Sequence, residues 1–220
     1  MMDFQFYFNK YIRKRRTLDG YLYQWEPIST GAHSETVVRP TILQKGSVFV
    51  DVGANVGAWS IPASRYYRDI HAFEAYPPLA KILVKNARMN RIRNITVHPV
   101  ALGDRQEQRD FWIYHDPALQ GSFDTNPDLK FRKRAHFGFL ETKTLDSFNL
   151  IPTVLKIDTE GYEISVLQGA KNTIEKFKPV LVVEAHYMED VNKIAAMLPG
   201  YNWSLHPRPG QTLMVGHDYR

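Results

Sequence analysis

One stretch, Val48-Phe49-Val50-Asp51-Val52-Gly53-Ala54-Asn55-Val56-Gly57-Ala58-Trp59, constrains the chain more than any other. Its first half is apolar and β-branched, which reads as a buried strand. The chain then turns at Gly53, and a helix capped by Asn55 is expected to follow. Glycines at 53 and 57 let the backbone approach a ligand closely, and a helix start offers free N–H groups. At the carboxyl edge of a parallel sheet, such a turn holds nucleotide-type cofactors. Glu74 ends the next apolar run, Ile70-His71-Ala72-Phe73, about twenty residues beyond Gly53, an offset that suits a carboxylate gripping ribose hydroxyls.

The turn reads Asp-x-Gly-x-Asn-x-Gly and not Gly-x-Gly-x-x-Gly. Asp51 is expected at its mouth. A carboxylate there would repel the pyrophosphate of a dinucleotide and attract the ammonium and sulfonium of S-adenosylmethionine (SAM). The alternative is an ordinary βα turn of an unrelated α/β protein, and Glu74 at that distance favours the cofactor.

At 220 residues the chain is long enough for one domain, 1–220, with a substantial core. Hydrophobic residues make up 44% and charged residues 23%, a globular balance. No run reaches the length of a membrane helix and no signal-peptide pattern opens the chain, so a cytoplasmic protein is expected. Cysteine is absent, which excludes disulfides and thiolate metal sites. The net charge of +5 favours anionic partners.

Residues 1–46 read as a preamble: aromatics, then Arg13-Lys14-Arg15-Arg16, with short strands at Tyr21-Leu22-Tyr23 and Thr36-Val37-Val38 and a short helix from Thr41 to Gln44. The basic cluster suits either an arm for an anionic surface or a solvated helix face. Pro62 is expected to kink or shorten the first helix of the domain. Pro77-Pro78 open a second helix whose apolar face is Leu79, Ile82, Leu83 and Ala87. Strands follow at Ile95 to Val100 and Phe111 to Tyr114. Residues 116–140 lack clear periodicity and carry Lys130, Arg132, Lys133 and Arg134 among aromatics, as a lid or substrate-binding insertion would. These four cations point to an anionic group on the substrate. Regular structure returns with strands at Val154 to Asp158 and Val180 to Val183, one helix after Gly161 with Ile164, Leu167, Ala170 and Ile174 on its face, a short helix over Val191 to Leu198, and a closing antiparallel hairpin around Pro207-Arg208-Pro209-Gly210. The alternation predicts a doubly wound α/β fold with a mostly parallel sheet.

Several segments together resemble the FkbM-type methyltransferases, a branch of the class I SAM-dependent fold. They are Phe49 to Gly57, Phe73-Glu74-Ala75-Tyr76-Pro77, Val100-Ala101-Leu102-Gly103-Asp104, Thr144-Leu145-Asp146, Leu155 to Glu163, Val166 to Ala170 and Val183-Glu184-Ala185-His186. The resemblance implies a seven-stranded sheet and O-methylation of a hydroxyl, often on a sugar or natural product. It also implies SAM held at Asp51, Gly53, Asn55, Gly57 and Glu74, with Ala101 and Leu102 near the adenine.

Methyl transfer to a hydroxyl needs alignment and a base. Asp158, at the end of its strand, is the best-placed base, with Glu160, Glu184 and His186 as helpers. Two arrangements compete: a metal-free base, or a hard divalent cation such as Mg²⁺ held by Asp158, Glu184 and His186. The bland reading of Asp158-Thr159-Glu160 is a helix cap. An RNA 2′-O-methyltransferase and a non-catalytic module of the same fold are the rival functions. The first would use a lysine beside the acids, and Lys156 lies deeper in the strand than that role requires.

Overall fold

The computed structural model describes residues 15–16, 21–23, 46–114, 120–122, 134–208 and 210–219. In chain order the strands are β1 (Arg15–Arg16), β2 (Leu22–Tyr23), β3 (Gly46–Val52), β4 (Tyr67–Phe73), β5 (Ile95–His98), β6 (Ala101–Leu102), β7 (Glu107–Tyr114), β8 (Gln120–Ser122), β9 (Arg134–Lys143), β10 (Val154–Ile157), β11 (Val180–Ala185), β12 (Tyr201–Arg208) and β13 (Gln211–Asp218). The helices are α1 (Ser60–Ala63), α2 (Pro77–Met89), α3 (Glu163–Gln168), α4 (Lys171–Phe177) and α5 (Met188–Met197).

Seven strands form the main sheet in the order β12-β13-β11-β10-β3-β4-β5. Those from β11 to β5 run parallel. Strand β13 runs against both its neighbours and closes the sheet as the expected hairpin with β12. The central strands are buried on both faces: every residue of β10 is buried, as are Phe49, Val50, Asp51 and Val52 of β3. Hence both strands read as continuous apolar runs. On α2 the predicted face, Leu79, Ile82, Leu83 and Ala87, is buried.

Several local expectations are corrected. After Gly53 the chain does not enter a helix; α1 starts only at Ser60 and is four residues long. Pro62 lies within its first turn, where the missing N–H costs nothing, and the helix is short as anticipated. The single helix expected after Gly161 is two, broken at Gly169-Ala170. A Cβ at Gly169 would lie 1.9 Å from the Gly103 carbonyl oxygen, so that approach admits only glycine. Asp104 and Ser165 hydrogen-bond alongside it.

The segment 116–140 is less irregular than its sequence implies. Strands β8 and β9 enter a second, four-stranded sheet in the order β6-β9-β7-β8. Much of β9 is exposed, including Phe137 and Phe139, so no apolar-polar alternation marks it as a strand. Lys130, Arg132 and Lys133, the strand expected at 36–38 and the helix expected at 41–44 lie outside the described residues; Arg134 opens β9.

Candidate active site

The carboxyl ends of β3, β4, β10 and β11 converge on one edge. The turn leaving β3 carries three positive φ angles, at Gly53 (74°), Asn55 (50°) and Gly57 (95°). They coil the backbone into a nest instead of a helix start, which is why Asn55 is not an N-cap. Gly53 also passes so close to β10 that a Cβ would meet the Asp158 carbonyl oxygen at 1.7 Å. The turn is tied down from three sides. Gly53 and Ala54 N–H groups donate to the Phe73 carbonyl, at 3.0 and 2.9 Å. The Asn55 N–H donates to Glu74 Oε2 at 2.7 Å. Buried Asn86 of α2 donates Nδ2 to the Val56 carbonyl at 2.9 Å, a brace that helix periodicity alone hides.

Beside this turn lies an open cleft whose walls include Gly53, Asn55, Glu74, Ala101, Leu102, Asp158, Glu160 and Tyr162. Glu74 accepts the Tyr76 N–H through its other oxygen at 2.9 Å. Each carboxylate oxygen therefore keeps a lone pair for a ligand hydroxyl. Burial pushes the Glu74 pKa up to about 7, against the pull of these N–H donors. Gly57 packs against Ile61 and Leu83 behind the turn and is not part of the cleft wall.

Asp51 is not at the mouth. It is fully buried, accepts the Ser60 hydroxyl at 2.5 Å, and lies 3.4 Å from Lys156 Nζ. Register explains the pairing: Lys156 on β10 sits directly beside Asp51 on β3, on the same face of the sheet. Two residues further, Asp158 returns to that face, and its Oδ2 lies 3.2 Å from Lys156 Nζ. Asp51 thus anchors the lysine that faces Asp158 and touches no part of the cleft.

Past the registered pair Ile157–Val183 come Asp158 and Glu184, side by side. Ligand atoms of Asp158, Glu184 and His186 lie within 4.8 Å of one another. Burial, followed by the Asp158 charge, pushes the Glu184 pKa up to about 8, against Lys156, Arg208 and His186. Arg208 Nη1 lies 3.3 Å from Glu184 Oε2. His186 sits between two more acids: Nε2 is 3.2 Å from Glu160 Oε2 and Nδ1 is 3.6 Å from Glu163 Oε1. Burial alone would lower its pKa, but the two carboxylates outweigh it and hold the ring as imidazolium, with the pKa up at about 12. These are ion-pair distances without hydrogen-bond alignment.

The helix-cap reading of Asp158-Thr159-Glu160 fails, because Tyr162 occupies the N-cap of α3. The carboxylate that organises this turn is Glu163, which is not among the site residues expected from the sequence. Its Oε1 accepts the Thr159 N–H at 2.7 Å, the Thr159 hydroxyl at 3.0 Å and the Gly161 N–H at 3.1 Å. Glu160 is held at φ 57°, a costly conformation for a non-glycine residue, and lines the cleft. The glutamate just inside an apolar helix start was the available signal.

The strand order, the nest after the first strand and the carboxylate ending the second define a Rossmann-like methyltransferase fold. Solved structures agree: a methyltransferase FkbM from Methylobacillus flagellatus KT superposes with a TM-score of 0.58 at 23% identity, over 78% of this chain and 44% of that one. A precorrin-6y C5,15-methyltransferase from Geobacter metallireducens GS-15 superposes with a TM-score of 0.57 at 16% identity, over 91% and 95%. A putative methyltransferase from Streptococcus mutans, solved in complex with S-adenosylhomocysteine (SAH), does so with a TM-score of 0.51 at 11% identity, over 86% and 99%.

Residues 51–203 match the methyltransferase FkbM domain, so the chain belongs to that family. Among curated proteins, the hexuronic acid methyltransferase AglP of Haloferax volcanii is 26% identical over 163 residues, 70% of this chain and 62% of that protein. Methyltransferase 1 of Beauveria bassiana is 27% identical over 146 residues, 56% and 58% of the two chains. This chain thus spans about three-fifths of the length of each.

Proposed function

We propose that this protein transfers the methyl group of SAM to a hydroxyl of a sugar or other small molecule. The observation that carries the reading is Asp158. It faces the cleft, Lys156 occupies one of its oxygens, and Oδ1 has no hydrogen-bond partner among the described residues. A carboxylate oriented in this way can receive the proton of an acceptor hydroxyl.

The residues present fit SAM. Glu74 keeps lone pairs for the ribose, Ala101 and Leu102 offer an apolar wall for the adenine, and Asp158 and Glu160 line the same cleft. SAM supplies an activated methyl on a sulfonium. With SAM bound, the acceptor oxygen would take that methyl as the C–S pair stayed on sulfur, and Asp158 would receive the acceptor's proton. Alignment of the two groups is worth about 7–11 kcal/mol of barrier. A positioned base adds about 10²–10⁴-fold.

A metal-free site is favoured. Lys156 and Arg208 already stand against Asp158 and Glu184. A sugar acceptor draws support from the hexuronic acid methyltransferase among the relatives. The RNA reading is weakened because Lys156 is buried between two carboxylates. Among the described residues no helix is long and apolar enough to cross a membrane. The test is transfer of a tritiated methyl from SAM to panels of sugars, small phenols and RNA, with and without EDTA. Labelled sugar in the presence of EDTA is the expected result. Label appearing only in RNA would overturn the reading.

A further inference from the structure

We propose that Arg208 anchors a carboxylate carried by the methyl acceptor, next to the hydroxyl that is methylated. The proposal rests on the acceptor being a hydroxyl compound, as above, and specifies its second functional group.

Arg208 is the last residue of β12, the outermost strand of the sheet. An arginine there would ordinarily extend into water. Instead its side chain is only 4% exposed and reaches across β13 to Glu184 of β11. That contact uses Nη1 alone. Nε and Nη2 are buried, and neither has a hydrogen-bond partner among the described residues. These two nitrogens form one edge of the guanidinium, with N–H bonds nearly parallel. That edge matches the two oxygens of a carboxylate. A buried, half-filled guanidinium is costly, and such a group in a folded protein calls for a partner that the described residues do not supply.

The surroundings select the partner. Glu184 takes one nitrogen of the Arg208 guanidinium and leaves the Nε–Nη2 edge without a hydrogen-bond partner among the described residues. Asp158, Glu160 and Glu163 stand close to the same cluster, so a monoanion is tolerated better than a phosphate dianion. Position fits as well. The Glu184 carboxylate, in contact with Arg208, is also within 4.8 Å of Asp158. Through Glu184, the Arg208 guanidinium thus belongs to the same cluster as the base. The edge is covered in this conformation, so acceptor entry requires that cover to give way.

Wild type, Arg208→Gln and Arg208→Lys, each saturated with SAH, are titrated by calorimetry with glucuronate, glucuronamide, glucose, benzoate and glucose 6-phosphate. Wild type should bind glucuronate about tenfold or more tighter than glucuronamide and glucose. Both variants should lose that preference with SAH affinity unchanged, since lysine keeps the charge without the paired donors. Benzoate binding as well as glucuronate would uphold the carboxylate and assign it to a non-sugar acceptor. Equal affinity for glucuronate and glucuronamide in wild type overturns the proposal, a result that needs no variant to fold. Tighter binding of glucose 6-phosphate, or variants that discriminate like wild type, overturns it too. Failure of wild type to bind SAH removes the proposed function and this inference together. Intact SAH binding without carboxylate preference removes only the inference.

Discussion

The Glu74 carboxylate receives the Asn55 N–H at 2.7 Å, which joins the end of β4 to the nest after β3. Glu74→Gln keeps the shape but turns a donor against one of two N–H groups. Loss of a charge-assisted hydrogen bond costs about 1.5–3 kcal/mol. SAM affinity measured by calorimetry should fall by roughly tenfold or more.

The same residue makes stability depend on pH. Burial raises its folded pKa from 4.5 to about 7. Between those values the folded state keeps a proton that the unfolded chain releases. Stability is therefore fully present below pH 4.5, falls as pH rises, and has lost this contribution above about 7. The difference from Glu74 alone is of the order of 3 kcal/mol. Urea denaturation of wild type and Glu74→Gln at pH 5 and pH 8 should show the larger drop in wild type.

Gly53→Ala should abolish SAM binding. The new methyl would meet the Asp158 carbonyl at 1.7 Å, and φ is 74°. Either the nest or β10 must shift, and both carry the cleft. Wild-type SAM affinity in this variant would contradict the assignment of the turn.

Lys156→Met leaves Asp51 and Asp158 without their shared cation. Breaking a buried pair from one side costs about 3–5 kcal/mol. The midpoint of urea denaturation should fall accordingly, and Lys156→Met combined with Asp51→Asn should recover part of the loss.

Asp158→Asn should lower kcat by about 10²–10⁴-fold. SAM affinity should stay within roughly twofold, since Asp158 faces the acceptor end. A fully active variant would falsify its role as base. Wild-type activity should survive excess EDTA.

Replacing Lys130, Arg132, Lys133 and Arg134 by Ala should raise KM for an anionic acceptor and flatten its dependence on salt. Kinetics across a range of salt concentrations check it, and an unchanged KM would show that these cations do not meet substrate.

How much of this was legible beforehand follows from what is local. The buried strand Phe49 to Val52, the offset to Glu74 and the face of α2 are periodic patterns, and each survives in the structure. What was lost depends on contacts across the sheet. Asp51 looked like a cofactor ligand because its pairing with Lys156, about a hundred residues away, exists only once β3 and β10 are in register. Three successive departures from negative φ, at Gly53, Asn55 and Gly57, displaced the helix start to Ser60, and only the glycines hinted at them. Arg208 read as part of a turn because its inward course depends on how β12 lies beside β13.

The Gly103–Gly169 approach has a mechanical consequence. With no side chain between the two backbones, and Asp104 bonded to Ser165 beside them, the start of the smaller sheet is riveted to the helical layer. The jaw that Ala101 and Leu102 contribute is therefore fixed. Glu160, on the same cleft and just ahead of that helical layer, is held beside the fixed jaw at a positive φ.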